Sequence, residues 1–479
     1  MRESEEDYFL ARDSGNVVNR KELSRESDDF FAFDGLLNSE NQISLSPNGR
    51  DIVFYFFLIS NILISMDHGS IPASVNELRL LTTYDQSIGL FGSLVYFGNI
   101  IGSMVFFSIM DKYSRKTLLI ISLLGNSICL FTFVIFSNII FLFLNRVLVG
   151  TLQAYITIYM PIWCNQYGLK TRRNYMIALI QLVSPIGIFL GYFIASVGIS
   201  SQIYGGWKFA FVVQAILIFI LTICFIFCPK NFFAKDWMSF GENKEEEKII
   251  HVKITTSREE KNSLDYFGKL KVLMKYKVYI FSVISLSILI YIITGVQYWV
   301  SDYLDAVLGV QSPKDRLFLF TLACFTAPVM GVLLGPLIQD KLCQTNMQKS
   351  LIFCSVLGFL ASVCSIPAPC TLNLFYFIIL MWFILFFGGG IVPILTSIII
   401  NSVPKNLITS ANSLTNFTTN ALGYLPSPYI YGILSDIYGD LGRMGMKVTL
   451  WLAVVGEMFS LLAVYYSFQD EEFYKLKVI

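Results

Sequence analysis

Residues 52–72 read IVFYFFLISNILISMDHGSIP, and this stretch holds no charge until Asp67 and His68 arrive together near its end. A helix rises about 1.5 Å per residue through a hydrocarbon layer of about 30 Å, so Asp67 would lie about 22 Å into such a span. An ionisable side chain at that depth is costly and typically marks a substrate or proton pathway. The alternative is that Asp67 merely ends the helix and contacts water at the far surface.

The composition of the whole chain is that of an integral membrane protein. Of its 479 residues, 55% are hydrophobic and only 14% are charged, and the mean hydropathy is +0.62. A soluble domain of this length could not cover its surface with so few charges. The formal net charge of +1 gives no reason to expect nucleic acid as a partner.

Charge-poor stretches long enough to cross a membrane recur along the chain, six on each side of a polar segment at 229–277. The predicted spans are 52–72, 87–110, 117–136, 139–163, 175–197, 208–228, 278–300, 317–339, 349–366, 372–397, 407–432 and 448–468. The sequence therefore predicts an all-α membrane protein with twelve transmembrane helices in two six-helix bundles.

The spans divide the chain into five predicted regions. They are a disordered cytosolic tail at 1–50, a first bundle at 51–228, a cytosolic linker at 229–277, a second bundle at 278–468 and a cytosolic tail at 469–479. Lysine and arginine concentrate in alternate short loops, which places those loops in the cytosol. These residues are Lys112, Arg115, Lys116, Lys170, Arg172, Arg173, Lys341, Lys349 and Lys405. Both termini are accordingly predicted to be cytosolic.

The loop after the second span reads DKYSRK from Asp111 to Lys116. Together with two six-helix halves and a long cytosolic linker, this loop resembles the major facilitator superfamily, and the resemblance covers about residues 50–468. It implies a carrier that rocks two bundles around a central site to alternate access. It also implies that Asp111, Arg115 and Lys116 lock the bundles when the inner gate is shut, with Asp340 as the counterpart in the second half.

Two further charges lie inside predicted spans. Arg146 is alone among the uncharged residues of 117–169, and counting from the outer side puts it about 10 Å deep, which matches Asp67. The two side chains could pair or share one hydrated cavity, or Arg146 could extend to the headgroups instead. Glu457, near the midplane of the last span, ranks second to Asp67 as a proton-linked group, with helix packing as the alternative role.

Two spacing patterns predict helix faces. Asn412, Asn416 and Asn420 recur every four residues in the eleventh span, which puts three amides on one face. Polar side chains in membrane helices commonly hold helices together, but three in register favour the wall of a cavity. Small residues four apart allow close helix approach, and we expect them at a sliding seam between the bundles. These pairs are Gly98 with Gly102, Gly187 with Gly191, and Gly331 with Gly335.

Five short stretches, in order, resemble the Spinster family of carriers. They are MDH at 66–68, NRVLVGTLQA at 145–154, SPIGIFLGY at 184–192, GWKFA at 206–210 and PSPYIYGILSD at 426–436. Members of this family move lysophospholipids or sphingosine phosphate, often with proton coupling and often from late endosomes or lysosomes. The resemblance implies a proton-coupled carrier of an amphipathic lipid.

Carried over by position, the resemblance gives Asp67 the role of titrating carboxylate and Arg146 that of its anion-facing partner. The sequence departs from the family at two places, since the family's acidic residue in helix four is Gln153 here and its arginine in helix one is His68. One charge of each sign is therefore missing. His68, a residue type that titrates near neutral pH, is either a sensor of an acidic lumen or a hydrogen-bonded neighbour of Asp67.

The seventh span ends in Tyr298 and Trp299. Aromatic residues at this position are expected to anchor the helix at the membrane interface. In Spinster-like proteins this end of the helix also faces the cavity, so the resemblance adds both residues to the predicted substrate site.

The sequence predicts a secondary carrier and not an enzyme, because it holds no Walker loop, nucleophile elbow or metal constellation, and it predicts no cofactor. The first hypothesis is export of a lysophospholipid or related amphipathic lipid. The alternatives are a facilitator of a polar solute, such as a sugar or organic anion, and a membrane receptor or scaffold that does not transport. The expected partners are the substrate, protons and the lipid bilayer, and the chain is expected to act as a monomer. A lysosomal or endosomal membrane is favoured over the plasma membrane.

Overall fold

The structure is a computed structural model that describes residues 47–82, 84–110, 113–167, 173–203, 205–233, 271–343, 346–404, 407–439 and 441–469. Most of the predicted N-terminal tail and linker, and the predicted C-terminal tail from 470 onward, lie outside these residues. The same holds for Asp111 of the predicted gate.

The first half of the chain folds into six long helices and one short helix. They are α1 (Pro47–Ala73), the short α2 (Val75–Leu78), α3 (Asp85–Ile109), α4 (Arg115–Ile135), α5 (Ile139–Tyr167), α6 (Arg173–Ser200) and α7 (Lys208–Phe227). A 3-10 turn at Lys230–Phe233 follows. Each long helix corresponds to a predicted span, because an apolar run in a membrane must satisfy its backbone polar groups internally.

The second half also crosses six times, but two of its crossings are interrupted. Its helices are α8 (Lys277–Ala306), α9 (Pro313–Phe320), α10 (Ala327–Cys343), α11 (Met347–Ser365), α12 (Leu374–Asn401), α13 (Ile408–Thr418), α14 (Pro426–Tyr438) and α15 (Arg443–Gln469). A π-helical segment, Thr321–Thr326, joins α9 to α10, and another, Thr419–Tyr424, leads from α13 towards α14. Such wide turns are rare and concentrate at functional sites.

Among the described residues, eleven helical stretches are individually long and apolar enough to cross a membrane. The remaining crossing is the second of the two interrupted ones, in which α13, a π segment and α14 follow one another over 408–438. Twelve transmembrane helices in two six-helix bundles, the predicted fold class, are confirmed. The protein is a multi-pass membrane protein.

Each bundle packs around its own helix pairs. In the first bundle, α1 packs on α6, α3 on α5 and α4 on α7. In the second bundle, α8 packs on α15, while α10 and α11 both pack on α12. Aromatic rings fill the first core at one end, where Phe57 contacts Trp163 and Phe225 at ring-centroid distances of 5.2 and 5.5 Å. Tilted ring pairs of this kind add about 0.5–1.5 kcal/mol to the area they bury.

The predicted glycine pairs lie inside the bundles and not at a seam between them. A Cβ on Gly98 would come within 2.1 Å of the Val147 carbonyl oxygen in α5, and one on Gly191 within 1.8 Å of the Met66 carbonyl oxygen in α1. Gly331 and Gly335 approach α12 in the same way. The expectation of sliding surfaces is wrong for these residues, because they allow close packing of helices that belong to one rigid bundle.

The bundles meet along a seam at one end. We call this the outer end, where α1 ends and α3 begins, and the opposite end, where α1 and α8 begin, the inner end. Across the seam α3 packs against α14, α1 against α8, and α6 against α9. Glycines permit contact here: a Cβ on Gly89 would lie 2.3 Å from the Pro428 carbonyl oxygen, and one on Gly432 would lie 2.4 Å from the Asp85 carbonyl oxygen.

Candidate functional site

Asp67 and Arg146 form a buried ion pair within the first bundle. Asp67 lies on α1 and Arg146 on α5, and their side chains are 0% and 1% exposed. Arg146 Nη1 lies 3.0 Å from Asp67 Oδ2. The equal depths inferred from helix rise thus bring the two charges together. Asp67 does not end its helix, since α1 continues to Ala73.

Gln153 and His68 flank the carboxylate of Asp67. Gln153 follows Arg146 by seven residues, two turns of α5, so both side chains project from one face. Its amide nitrogen lies 3.5 and 3.4 Å from the two Asp67 carboxylate oxygens. His68 Nε2 lies 3.9 Å from Asp67 Oδ1, and its side chain is 20% exposed. Three side chains of different chemistry therefore surround one carboxylate.

The polar atoms of this cluster are incompletely satisfied. Arg146 donates its Nε hydrogen to the Phe91 carbonyl oxygen at 3.2 Å, and its guanidinium lies 5.5 Å from the centre of the Phe133 ring. Within the described part of the chain, Arg146 Nη1 has no well-aligned hydrogen-bond acceptor and the side-chain oxygen of Gln153 has no donor. Buried polar atoms without partners are costly, so this cluster has capacity for a water or a ligand group.

A cavity of about 20 Å³ opens beside the ion pair, which is room for about one water molecule. Both bundles contribute to it. Asp67, His68, Gly92, Tyr96, Arg146 and Ile188 come from the first bundle, and Thr294, Gln297 and Tyr298 come from α8 of the second. The charged side chains thus all come from the first bundle, while α8 supplies neutral polar groups.

An aromatic stack runs from the cluster to the other bundle. The His68 ring stacks on Tyr96 of α3 at 5.2 Å, and Tyr96 stacks on Tyr424 of the second bundle at 4.8 Å. Tyr96 lies one turn of α3 further inward than Gly92, which lines the cavity. Both tyrosines are half-buried, so the pair stands at the inner limit of the seam, between the cavity and the inner end.

A network of charges joins the bundles at the outer end. Arg79 of the first bundle forms ion pairs with Asp85, at 2.9 Å, and with Asp302 of α8. Burial would lower the pKa of Arg79, but the hydrogen bonds and charges of Asp302 and Asp85 raise it. The backbone N–H groups of Asp85 and Gln86 each donate to the Asp436 carboxylate at 2.9 Å.

Two more contacts extend this network, which the site prediction did not include. The Asn76 side chain donates to Asp305 at 2.6 Å, and Asp305 also pairs with Arg316. The sequence carried one signal for it, namely several aspartates, among them Asp302, Asp305 and Asp436, close to the lysines and arginines of the outer loops. We call Asn76, Arg79, Asp85, Asp302, Asp305 and Asp436 the outer network.

Trp299 and Glu457, both predicted site residues, lie away from the cavity. Trp299 is fully buried, donates its indole N–H to the Pro428 carbonyl oxygen at 3.0 Å and stacks on Tyr431 at 4.8 Å, so it packs inside the second bundle. Its neighbour Tyr298 does line the cavity, since consecutive helical residues point in different directions. Glu457 lies in a separate cavity within the second bundle and does not join Asp67.

The asparagine row follows the inner half of the eleventh crossing. Asn412 and Asn416 are exposed, and Asn420 is half-buried. The side-chain amide of Asn420 donates to the Asn416 carbonyl oxygen at 2.8 Å. About one turn beyond Asn420 stands Tyr424, whose ring meets Tyr96 of the first bundle. Helix α13 itself packs on α8 and α12 of its own bundle, and the π segment that follows it meets α3 of the first bundle.

Two residues of the predicted inner gate make hydrogen bonds within the first bundle. Lys116 donates to the Ile226 carbonyl oxygen at 2.8 Å, at the end of α7 in its own bundle. The Arg115 carbonyl oxygen accepts a hydrogen bond from Tyr155 of the same bundle at 2.7 Å. Asp340 is exposed, and Asp111 lies outside the described residues.

The comparisons with known proteins agree with this architecture. The sequence profile of the Major Facilitator Superfamily matches residues 56–428. Protein spinster homolog 3 of Danio rerio is 24% identical, with 92% of this chain and 90% of that protein covered. Sphingosine-1-phosphate transporter SPNS2 of Xenopus tropicalis is 22% identical, with 86% and 81% covered.

Among solved structures, a bacterial homolog of the human lysosomal transporter Spinster, in an inward-facing and unoccupied conformation, superposes with a TM-score of 0.68. It is 14% identical, and the match covers 88% of this chain and 98% of that one. The nucleoside transporter NupG shares the fold with a TM-score of 0.61 at 14% identity.

The chain belongs to the Major Facilitator Superfamily, whose sequence profile spans most of its length. Within that superfamily it is Spinster-like: as the sequence motifs predict, spinster and SPNS2 proteins are similar to it over most of its length. It is therefore a transporter of the Spinster type, and its homologues are carriers and not enzymes.

Proposed function

We propose that this protein is a proton-coupled carrier that exports a lysophospholipid or related amphipathic lipid by alternating access. The observation that carries the proposal is the buried Asp67–Arg146 pair, which stands beside a cavity lined by both bundles and has unsatisfied polar atoms. The relatives named as sphingosine-1-phosphate transporters support a phosphate-bearing amphipathic lipid as the substrate class.

The headgroup would bind at the charged cluster. Arg146 offers two nitrogens to a phosphate, a geometry that suits guanidinium better than ammonium. Gln153 adds a neutral amide, and Tyr298 reaches the same cavity from α8. The asparagine row, with Asn412 and Asn416 exposed, would supply polar groups along the path between the cavity and the inner end.

Proton coupling would operate through Asp67. When the carboxylate is charged, it neutralises Arg146 and competes with an anionic headgroup for the same guanidinium. Protonation removes that competition, so Arg146 becomes free to bind phosphate. His68, 3.9 Å from the carboxylate and partly exposed, would deliver the proton from the hydrated side.

Alternating access would require the outer network and the inner gate to open in turn. In this conformation the outer network joins the bundles, whereas Lys116 and the Arg115 carbonyl bond within their own bundle. The conformation is thus closed at the outer end, and we propose that Asp111, Arg115, Lys116 and Asp340 close the inner end in the opposite state.

The orientation and location are also proposals. The loop charges support a cytosolic inner end and cytosolic termini. A carrier that responds to protons would work in a lysosomal or endosomal membrane or, alternatively, in the plasma membrane. We expect the monomer to be the working unit, because the cavity is formed by two bundles of one chain.

The test is uptake by the purified protein in proteoliposomes with an imposed pH gradient. Radiolabelled lysophospholipid, sphingosine phosphate, hexose and lactate would be compared. We expect transport of the two lipids, stimulation by the gradient, and loss of that stimulation in Asp67→Asn. Asp315→Asn, which removes an exposed acid of the second bundle, is the matched control.

Two results would overturn the proposal in different ways. Transport of hexose or lactate without either lipid would reject the substrate class and favour a facilitator of polar solutes. Gradient-stimulated transport by Asp67→Asn at the rate of the unchanged protein would reject the coupling role of Asp67. Binding of lipid without any transport would favour a receptor.

A further inference from the structure

We infer that the second bundle contains its own cation site, centred on Glu457 and separate from the cargo cavity. Glu457 is 8% exposed and lines a cavity of about 40 Å³ between α8, α11, α12 and α15. All four helices belong to the second bundle, and no described residue of the first bundle lines the cavity. Nothing in the cargo mechanism uses this carboxyl group.

The carboxyl group of Glu457 lacks a compensating charge. No ion pair in the described part of the chain includes it, and its Oε1 has no hydrogen-bond partner there. Of the groups that face the cavity from the four helices, the thiol of Cys354 is the only other titratable one. A bare carboxylate in such surroundings is very costly, so a positive charge has to accompany it.

The surroundings of Glu457 suit a small cation. Ser285 and Ser460 line the cavity beside it. The Ser285 hydroxyl donates to the Gly456 carbonyl oxygen at 3.0 Å, and the Ser460 hydroxyl lies 2.7 Å from that of Ser355. These oxygen atoms, with the carboxylate, are the hard donors that alkali cations prefer over nitrogen and sulfur. The cavity has room for one such ion with a water molecule, or for a water molecule beside a protonated carboxyl group.

Gly358 makes the room for this arrangement. A Cβ at this position would lie 2.1 Å from Glu457 Oε2, so any larger residue would push the carboxylate aside. The glycine of α11 and the acid of α15 thus form a matched pair, in which the carboxylate occupies the place of the missing side chain. This packing ties α11 to α15 through the charge state of one group.

The site accordingly takes up one positive charge, either as bound Na⁺ or as a proton on the carboxylate. Bound Na⁺ would stabilise the folded protein by mass action. A proton would act through linkage: if the folded chain takes up a proton that the unfolded chain does not hold, stability falls as pH rises. Both sources predict that a neutral residue of the same shape abolishes the dependence.

The experiment is thermal unfolding of the full-length protein in lipid nanodiscs without cargo. The midpoint is measured at one heating rate in NaCl and in choline chloride of equal ionic strength, and from pH 5.5 to 8.5. We expect Na⁺ or acid to raise the midpoint of the unchanged protein by about 2–4 °C or more. Dependence on Na⁺ at fixed pH identifies the metal ion, and dependence on pH alone identifies the proton.

The variants decide whether Glu457 is responsible. Glu457→Gln should fold and have a midpoint that no longer responds to the effective cation, while Asp315→Asn should respond like the unchanged protein. The inference is overturned if the midpoint of the unchanged protein responds to neither Na⁺ nor acid. It is also overturned if the midpoint of Glu457→Gln responds as strongly as that of the unchanged protein, or if Glu457→Gln cannot fold under any condition. Because no cargo is present, failure here is independent of failure of the proposed transport function.

Discussion

Two buried acids in this protein tolerate the membrane in opposite ways. Asp67 lies 3.0 Å from Arg146, and both side chains come from one bundle at the same depth. Glu457 lies in the other bundle among apolar side chains and hydroxyls, with no cationic side chain paired to it in the described residues. The first acid is compensated within the chain, whereas the second depends on something taken from solution.

The difference separates two kinds of function. A pair that neutralises itself can be opened by a ligand that replaces one partner, which suits a site for charged cargo beside the seam. A lone acid inside one bundle is, by our inference, a site that responds to cation concentration, and it lies in a cavity that Asp67 and Arg146 do not line. The neutral side chains that the second bundle offers to the cargo cavity, Thr294, Gln297 and Tyr298, fit the same division, since charge recognition stays with the first bundle.

The largest effect should come from breaking the pair. Arg146→Leu leaves Asp67 buried without a partner and should destabilise the protein by about 3–5 kcal/mol, seen as a lowered thermal midpoint at neutral pH. The double variant Asp67→Asn with Arg146→Leu should recover most of that stability and still fail to transport. An unchanged midpoint in Arg146→Leu would mean that the pair is not a unit and would remove the contrast with Glu457.

The next effect compares a seam glycine with a bundle glycine. Gly89→Ala places a methyl group against the Pro428 carbonyl oxygen of the other bundle, and Gly98→Ala places one against the Val147 carbonyl oxygen of its own bundle. Each clash should cost about 1–3 kcal/mol. We expect Gly89→Ala to reduce transport with little change in thermal midpoint, and Gly98→Ala to lower the midpoint first. Equal effects of both variants on both measurements would contradict the location of the seam.

A smaller effect is expected at the inner limit of the seam. Tyr424→Ala removes the stack on Tyr96, which is worth about 0.5–1.5 kcal/mol, and should change the transport rate or apparent KM by about 2- to 10-fold. Tyr424→Phe keeps the ring and serves as the matched control. If the phenylalanine variant is impaired as much as the alanine variant, the hydroxyl group matters and the stack does not.

The smallest effect is expected in the outer network. Arg79→Gln removes two ion pairs. Arg79 is 34% exposed, but Asp302 is only 2% exposed, and the glutamine amide can still donate a hydrogen bond to it, so we expect a loss of about 1 kcal/mol. Spin labels at the exposed positions Leu80 and Leu441 would report the distance between the bundles at the outer end. We expect a larger share of long distances in Arg79→Gln than in the unchanged protein, and no such change in Arg443→Gln. If Arg79→Gln and the unchanged protein have identical distance distributions, apolar packing alone holds the seam.

Much of the architecture could be predicted without coordinates. The twelve crossings follow from apolar runs, and the depth of Asp67 and Arg146 follows from helix rise alone, because a helix in a membrane has a fixed pitch and a fixed thickness to cross. The motif at 145–154 also predicted the family. The two π segments were not predicted, since apolar periodicity does not distinguish a wide turn from a regular one.

The prediction of the site was less complete, for a physical reason. Trp299 was assigned to the cavity with Tyr298, yet only the rotation of α8 decides which neighbour faces inward. The six paired glycines were assigned to the seam, although spacing reveals close approach and not the identity of the approaching helix. Tyr96 carried no signal of its own, and the aspartates of the outer loops did not reveal their partners, because Tyr424 and Arg79 lie more than 200 residues from Tyr96 and Asp302.

The amino-acid sequence by itself determined the membrane location, the number of crossings and the depth of each charge, because hydrocarbon admits few ways to satisfy a backbone and few places for an ion. Only the tertiary structure decided which charges meet, since pairing depends on how helices distant in sequence are rotated and packed. In the tertiary structure Asp67 pairs with Arg146, and Glu457 lies in a separate cavity of the second bundle. A network of arginine and aspartates closes the outer end.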